Sequence, residues 1–343
     1  MRRGAGAARG PGPLGRPVRA GGRLVTGPVR LAGLTLASPV LVASGCGGTG
    51  RELAGYAPLS TYGAFVTRTI TLTARPGGPA PRVLESPAGL LHATGLPNPG
   101  LTAFCATELP ALVQAGARVV VSVAGESVAE VAEVVSGLAR TSGVSAVELA
   151  LSLPDAEVAG VRTPREPFAT TRLVEAAVAQ LPPGVPLLAK IWPDPVRAPE
   201  HARAAVEGGA AAVVVGGAQP AAFPDGRHAG LSGPAVAPLA LRAVAEVVKS
   251  LDLAGLRADV VGCGGIATVA DARAHLDAGA VAVAVGSALL TDPTAAARIA
   301  EGLAVPERPA PEKPAPEHAA PEHVAPEQAE HPAPEHRTQE DPA

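Results

Sequence analysis

Aromatic side chains are scarce in this 343-residue chain: Phe, Trp and Tyr together make up 2% of it. The 47% hydrophobic content is therefore almost wholly aliphatic, and it is ample for the core of one large α/β domain or two smaller ones. Cysteine is scarce as well. Cys46, Cys105 and Cys263 stand far apart with no metal-ligand spacing, which fits a reducing compartment and excludes a disulfide scaffold. No apolar run approaches the roughly 18 residues of a membrane-crossing helix. The expected location is therefore cytoplasmic, with no membrane span. Charge of one sign is lacking too, and a net charge of −3 removes any electrostatic drive towards nucleic acid.

What is present divides the chain into three. Residues 1–24 are rich in Arg, Gly and Pro, carry no apolar stretch of the secretory kind, and read as a disordered leader. Residues 305–343 repeat Pro, Ala, Glu and His; proline every few positions blocks helix and sheet, so this reads as an extended, mobile tail. Its four histidines, His318, His323, His331 and His336, read as part of a solvated spacer.

Between the tails, over 25–304, β-rich runs alternate with helical apolar spacing. Strands are expected at 39–43, 64–71, 118–123, 146–151, 186–191, 211–215, 259–262 and 281–285. Helices are expected at 127–138, 171–180, 198–207, 239–250, 269–278 and 294–303. The strand runs are continuously apolar, as strands buried on both faces are. Eight strand–helix units in one region predict a (β/α)8 TIM barrel, capped by an N-terminal β-hairpin at 29–31 and 34–36. The stretch 75–100 is too long for a plain connector and reads as a lid or interface loop.

A barrel places its chemistry at strand C-terminal ends. Two consecutive ends are glycine turns, Gly264-Gly265 and Gly286-Ser287, each ahead of a helical pattern. Glycine lets backbone N–H groups approach an anion, and a helix N-terminus adds favourable partial charge, so a phosphate-bearing ligand is expected. Arg68 and Lys190 are the cationic strand ends, and a lysine buried there needs an anionic or electron-rich partner.

These ends, in this order, resemble the class 1 dihydroorotate dehydrogenases, and among them the NAD-linked subgroup. The likeness spans roughly 29–300 and rests on Ala43-Ser44-Gly45-Cys46, Pro81-Arg82, Gly95-Leu96-Pro97-Asn98-Pro99-Gly100, Lys190, Gly230-Leu231-Ser232-Gly233-Pro234-Ala235 and the two glycine turns. The resemblance implies FMN as cofactor, held by Ser44, Gly45, Arg68, Thr69, Ser122, Lys190, Gly233, Gly264, Gly265, Gly286 and Ser287. It implies His92 and Asn98 at the substrate, no metal, an iron–sulfur flavoprotein electron-transfer subunit as partner, and a homodimer.

Where the family's fourth strand ends in a cysteine base, this chain has Leu153, which cannot take a proton. Arg68 replaces a lysine, His92 and Ser122 replace asparagines, and Gly216-Gly217 replace an amide–hydroxyl pair. The phosphate half of the pattern survives while the substrate half departs. Three readings stay open. One is a dihydroorotate dehydrogenase, a flavin-dependent CH–CH oxidoreductase of pyrimidine synthesis, whose base has moved to His92, Asp155 or Ser152. Another is an FMN enzyme for a different substrate, and the last is a non-catalytic FMN-binding partner protein. Ser152 neighbours Leu153 on a strand and points to the opposite face.

Overall fold

The computed structural model describes residues 28–154, 156 and 160–304. The expected leader and tail and the candidate base Asp155 lie outside the described residues. The first elements, β1 (Val29–Leu31) and β2 (Leu34–Leu36), form the expected antiparallel hairpin. Its turn bends through Ala32 and Gly33, both at positive φ, 50° and 84°.

The chain then lays down β3 (Val40–Val42) and β4 (Ala64–Val66), followed by a hairpin of β5 (Val83–Ser86) and β6 (Gly89–His92). Next come β7 (Val119–Val123), β8 (Val144–Ala150), β9 (Leu187–Ile191) and β10 (Ala212–Val215). A second hairpin pairs β11 (Gln219–Ala222) with β12 (His228–Ser232), and β13 (Asp259–Cys263) and β14 (Ala282–Val285) complete the set. Strands β3, β4, β7, β8, β9, β10, β13 and β14 pair in parallel, each with the next, and β14 returns to β3 to close the barrel. The TIM barrel is present.

The two-residue period of each strand sorts side chains into two layers. On β14, Ala282 and Ala284 face the barrel interior, where they meet Leu41, Val120, Leu188 and Val261. Val283 and Val285 face outward and pack with the surrounding helices. Burial on both faces is why these runs are continuously apolar. Leu31 and Leu36 of the hairpin join the inner layer, so the hairpin plugs the N-terminal end.

Helices occupy Val128–Ala139, Pro167–Val178, Ala198–Glu207, Ala237–Ala254, Val269–Asp277 and Ala295–Ala304, one near each expected segment. Local chemistry fixes several starts. Ser127 Oγ accepts the Glu130 N–H at 3.1 Å, and Asp292 Oδ1 accepts from Thr294 N at 2.9 Å.

One expectation is corrected. The stretch 75–100, read as a lid or interface loop, is not a plain loop, because it folds into the β5–β6 hairpin. Strand β6 then pairs antiparallel with β12, so two distant hairpins make one four-stranded sheet, β11-β12-β6-β5. The sequence hid this because each strand is short and half-exposed, and the pairing partner is remote.

Candidate functional site

A cavity of about 690 Å³ opens at the C-terminal ends of the barrel strands, walled on one side by the four-stranded sheet. Ser44, Gly45, Arg68, Thr69 and Lys190 line it, and so do Gly233, Gly264, Gly265, Gly286 and Ser287. The sheet contributes His92. Residues chosen from seven separate stretches of sequence thus converge on one space. Ser122 lies just beneath, fully buried, its Oγ 3.0 Å from Thr69 Oγ1, which is in turn 3.3 Å from Ser44 Oγ. These three hydroxyls form a short relay under the wall formed by β3, β4 and β7.

The other candidates sit elsewhere. Asn98 is buried, and its amide is committed to its own loop: Oδ1 accepts from Gly100 N at 2.9 Å, while Nδ2 donates to Leu96 O at 2.9 Å and Thr71 Oγ1 at 3.0 Å. Ser152 is buried with Oγ directed to Gly216 O at 3.4 Å. Leu153 faces the cavity, and it packs with Leu96 against a small apolar cluster that includes Ala124 and Ala150. The β8 end of the cavity is therefore greasy where the resembled family has polar groups.

His92 takes up a position beside this greasy end. A Cβ added to Gly230 would stand 3.1 Å from His92 Cε1 and 2.6 Å from Pro154 Cγ, so the glycine brings the imidazole and the β8 terminus together. Gly230 lies opposite His92 in the β12–β6 pairing.

The glycine turns differ in what requires them. A side chain at Gly265 would meet Ala237 Cα at 2.5 Å, and one at Gly262 would meet His275 Nδ1 at 2.5 Å, so packing alone demands both. Gly286 is different: its Cβ would stand 3.6 Å from Ala43 and Cys46, in ordinary contact, and its φ is not in the left-handed range. Among these turn glycines, Gly286 is the one at which the fold leaves room for a side chain. The helix after Gly264-Gly265 also departs from expectation. Its cap is closed internally, with Asp271 Oδ2 accepting from Ala267 N at 3.1 Å and Thr268 N at 2.9 Å. Those donors are occupied, so the anion-holding capacity rests on the turns themselves.

The cavity floor carries an ion pair that sequence reading missed. Glu148 on β8, 2% exposed, stands 3.8 Å from Lys190 Nζ on β9. Burial alone would pull the ammonium down, but Glu148, with smaller help from Cys263 and Cys46, leaves it above the ordinary lysine value. Both thiols line the cavity and are held neutral by burial, which pushes Cys46 up to about 11 and raises Cys263. A lone carboxylate within the run Ala-Val-Glu-Leu-Ala was the available signal. Arg68 spans outward from the cavity, with Nη1 donating to Pro97 O at 3.4 Å and Nε 3.8 Å from Glu108.

The residues fit a flavin mononucleotide. One end of the cavity offers glycine backbone to a phosphate, and its floor offers an ammonium to an electron-rich ring edge. Among the described residues, no cluster of His, Cys, Asp and Glu fit for a metal occurs, and no helix is long and apolar enough to cross a membrane.

Comparison with known proteins gives a consistent picture. The model of the dihydroorotate dehydrogenase family matches residues 28–305. The catalytic subunit of dihydroorotate dehydrogenase B (NAD(+)) from Desulforudis audaxviator is 39% identical over 284 residues, covering 80% of this chain and 90% of that protein. The corresponding subunit from Cutibacterium acnes is 36% identical over 286 residues, covering 80% and 91%. In fold, the chain is similar to DHODH from Eimeria tenella, crystallised with ferulenol, with a TM-score of 0.67 at 22% identity over 80% of this chain and 83% of that one.

Proposed function

Because the chain belongs to the dihydroorotate dehydrogenase family, we propose that it is an FMN-binding catalytic subunit that oxidises dihydroorotate to orotate. FMN, when bound, supplies the hydride acceptor. The remaining tasks fall to this chain's own residues. Gly286, Ser287, Gly264, Gly265 and Gly233 would hold the phosphate end. Lys190 would set a cation at the ring edge, where reduction builds up negative charge. Ser44, Gly45, Arg68 and Thr69 would line the other flank of the cavity, with Ser122 supporting Thr69 from beneath.

Loss of hydride from one carbon must be matched by loss of a proton from its neighbour, and Leu153 cannot receive that proton. The observation that carries the reading is the placement of His92 beside the β8 end, across Gly230 from Pro154. An imidazole is the side chain whose unperturbed pKa suits a base near neutrality. His92 thus takes the part that Leu153 has lost. Asn98 serves the substrate indirectly, by holding the loop that carries Leu96.

The relatives are named as catalytic subunits of a NAD(+)-linked enzyme. In this reading the chain works in the cytoplasm as a homodimer, beside an iron–sulfur flavoprotein subunit that relays electrons.

The test is an anaerobic titration of the purified, FMN-reconstituted protein with dihydroorotate, following flavin absorbance. Bleaching is the expected result. A bound flavin that stays yellow supports a second reading, an FMN enzyme for a more apolar substrate, which Leu153, Leu96 and the bare Gly216-Gly217 turn favour.

A further inference from the structure

Lysine is rare in this chain: only Lys190, Lys249 and Lys313 occur among 28 Lys and Arg residues. Lys249 is exposed on the helix Ala237–Ala254, and Lys313 lies outside the described residues. At the cavity floor, where an arginine would be charged under all conditions, the chain uses the one cation that can lose its proton. Removal from water favours the neutral amine, so something must hold the charge.

The titratable groups facing Lys190 are Glu148 from β8, Cys46 from the turn after β3 and Cys263 at the end of β13. Both thiols are neutral near pH 7, which leaves Glu148. Its Oε1 is the atom 3.8 Å from Lys190 Nζ, and that oxygen has no hydrogen-bond partner among the described residues. A buried carboxylate with an unanswered oxygen is costly, and an apolar side chain of similar volume would pack as well without that cost. A separation of 3.8 Å is also too long for a tight hydrogen bond, so the ammonium protons remain available to a ligand.

We propose that Glu148 is the positioning residue of Lys190: it keeps the ammonium charged inside the barrel and draws it towards β8, leaving its protons to the cavity ligand. The identity of that ligand as FMN rests on the function proposed above, whereas the pairing itself does not.

The test uses the full-length, ligand-free protein labelled with ¹³C at lysine Cε, which gives three sites, with Lys190 assigned by its loss in K190M. In the parent protein, Lys190 should stay protonated to beyond about pH 10. In E148Q its midpoint should fall by about two pH units or more, and in E148D by less. An unchanged midpoint in E148Q overturns the proposal, and should E148Q fail to fold, an unchanged midpoint in E148D does the same. A purely structural role would lower stability in both variants without moving the lysine.

In the FMN-loaded E148Q protein, the flavin midpoint potential should then show a break with pH at the lowered Lys190 midpoint, absent from the parent. A lowered lysine midpoint in a protein that takes up no FMN supports the positioning role and overturns the flavin reading. A flavin-loaded protein whose lysine does not move overturns the positioning role alone.

Discussion

Ala32 and Asp259 stand 227 positions apart in the chain, yet the Ala32 N–H donates to Asp259 Oδ2 at 2.7 Å. The bond fastens the turn of the β1–β2 hairpin to the first residue of β13 and so seats the plug in the barrel. It comes at a cost, because burial raises the Asp259 carboxyl above the usual range. Asp259→Ala should lose about 1–3 kcal/mol through an orphaned N–H. Asp259→Asn keeps an acceptor and sheds the charge, and should stay within about 1 kcal/mol of the parent. Urea denaturation distinguishes them; equal losses would show that the bond to Ala32 is not what the side chain contributes.

Two glycines of the cavity should separate ligand binding from folding. Gly286→Ala fits the protein without a close contact and should leave thermal stability nearly unchanged while weakening FMN binding by about tenfold or more, or 1.4 kcal/mol. Gly265→Ala drives a methyl into Ala237 and should cost about 1–3 kcal/mol of stability whatever is bound. Flavin fluorescence titration and calorimetry on both variants suffice. Full FMN affinity in Gly286→Ala would remove that turn from the phosphate site.

If His92 is the base, replacing it should slow the half-reaction without emptying the site. His92→Ala should slow flavin reduction by dihydroorotate by about 100-fold or more while FMN remains bound, as stopped-flow absorbance would record. Leu153→Cys alone should not raise the rate strongly, since the amides of the resembled pattern are still missing from Ser122 and Gly216. A fast Leu153→Cys enzyme would contradict this account of the pocket.

His275 gives the fold a pH dependence of known sign. It is buried beneath Gly262, and burial lowers its pKa below the ordinary value. The unfolded chain takes a proton near pH 6.5 and the folded one resists it. Stability should therefore be complete above that pH and fall as the pH drops below it, towards the folded pKa. Urea midpoints at pH 7.5 and 5.5 should differ in the parent and differ less in His275→Gln. A midpoint gap of unchanged size would assign the acid sensitivity to another group, such as buried His201.

The barrel was legible because its signal is local and repeated. Most barrel strands are near-continuous apolar runs, each helix has its own spacing, and Ser127 and Asp292 announce their helices chemically. The glycine turns were legible for the same reason. What escaped notice depends on contacts between distant segments. Nothing near residue 90 announces its partner near 231, so the sequence of 75–100 shows a long connection and not its place in a four-stranded sheet. Glu148 reads in sequence as strand interior, because only the closed barrel shows that it faces Lys190. The motif around Asn98 points to the substrate, and only the folded loop shows the hydrogen bonds that hold its amide. In each case the residue type was visible and its neighbour was not.

The four-stranded sheet also bears on the order in which ligands come and go. Its hairpins spring from the loops after β4 and β10, the second and sixth of eight strands around the ring, and meet through the β12–β6 pairing. Such a span is anchored on opposite banks and crosses the mouth like a bridge. A ligand reaching from the glycine turns to the β8 end has to pass beneath it. Weakening the β6–β12 pairing should therefore speed the release of such a ligand. Exchange of such a long ligand should accordingly be slower than that of a small molecule resting beside Leu153.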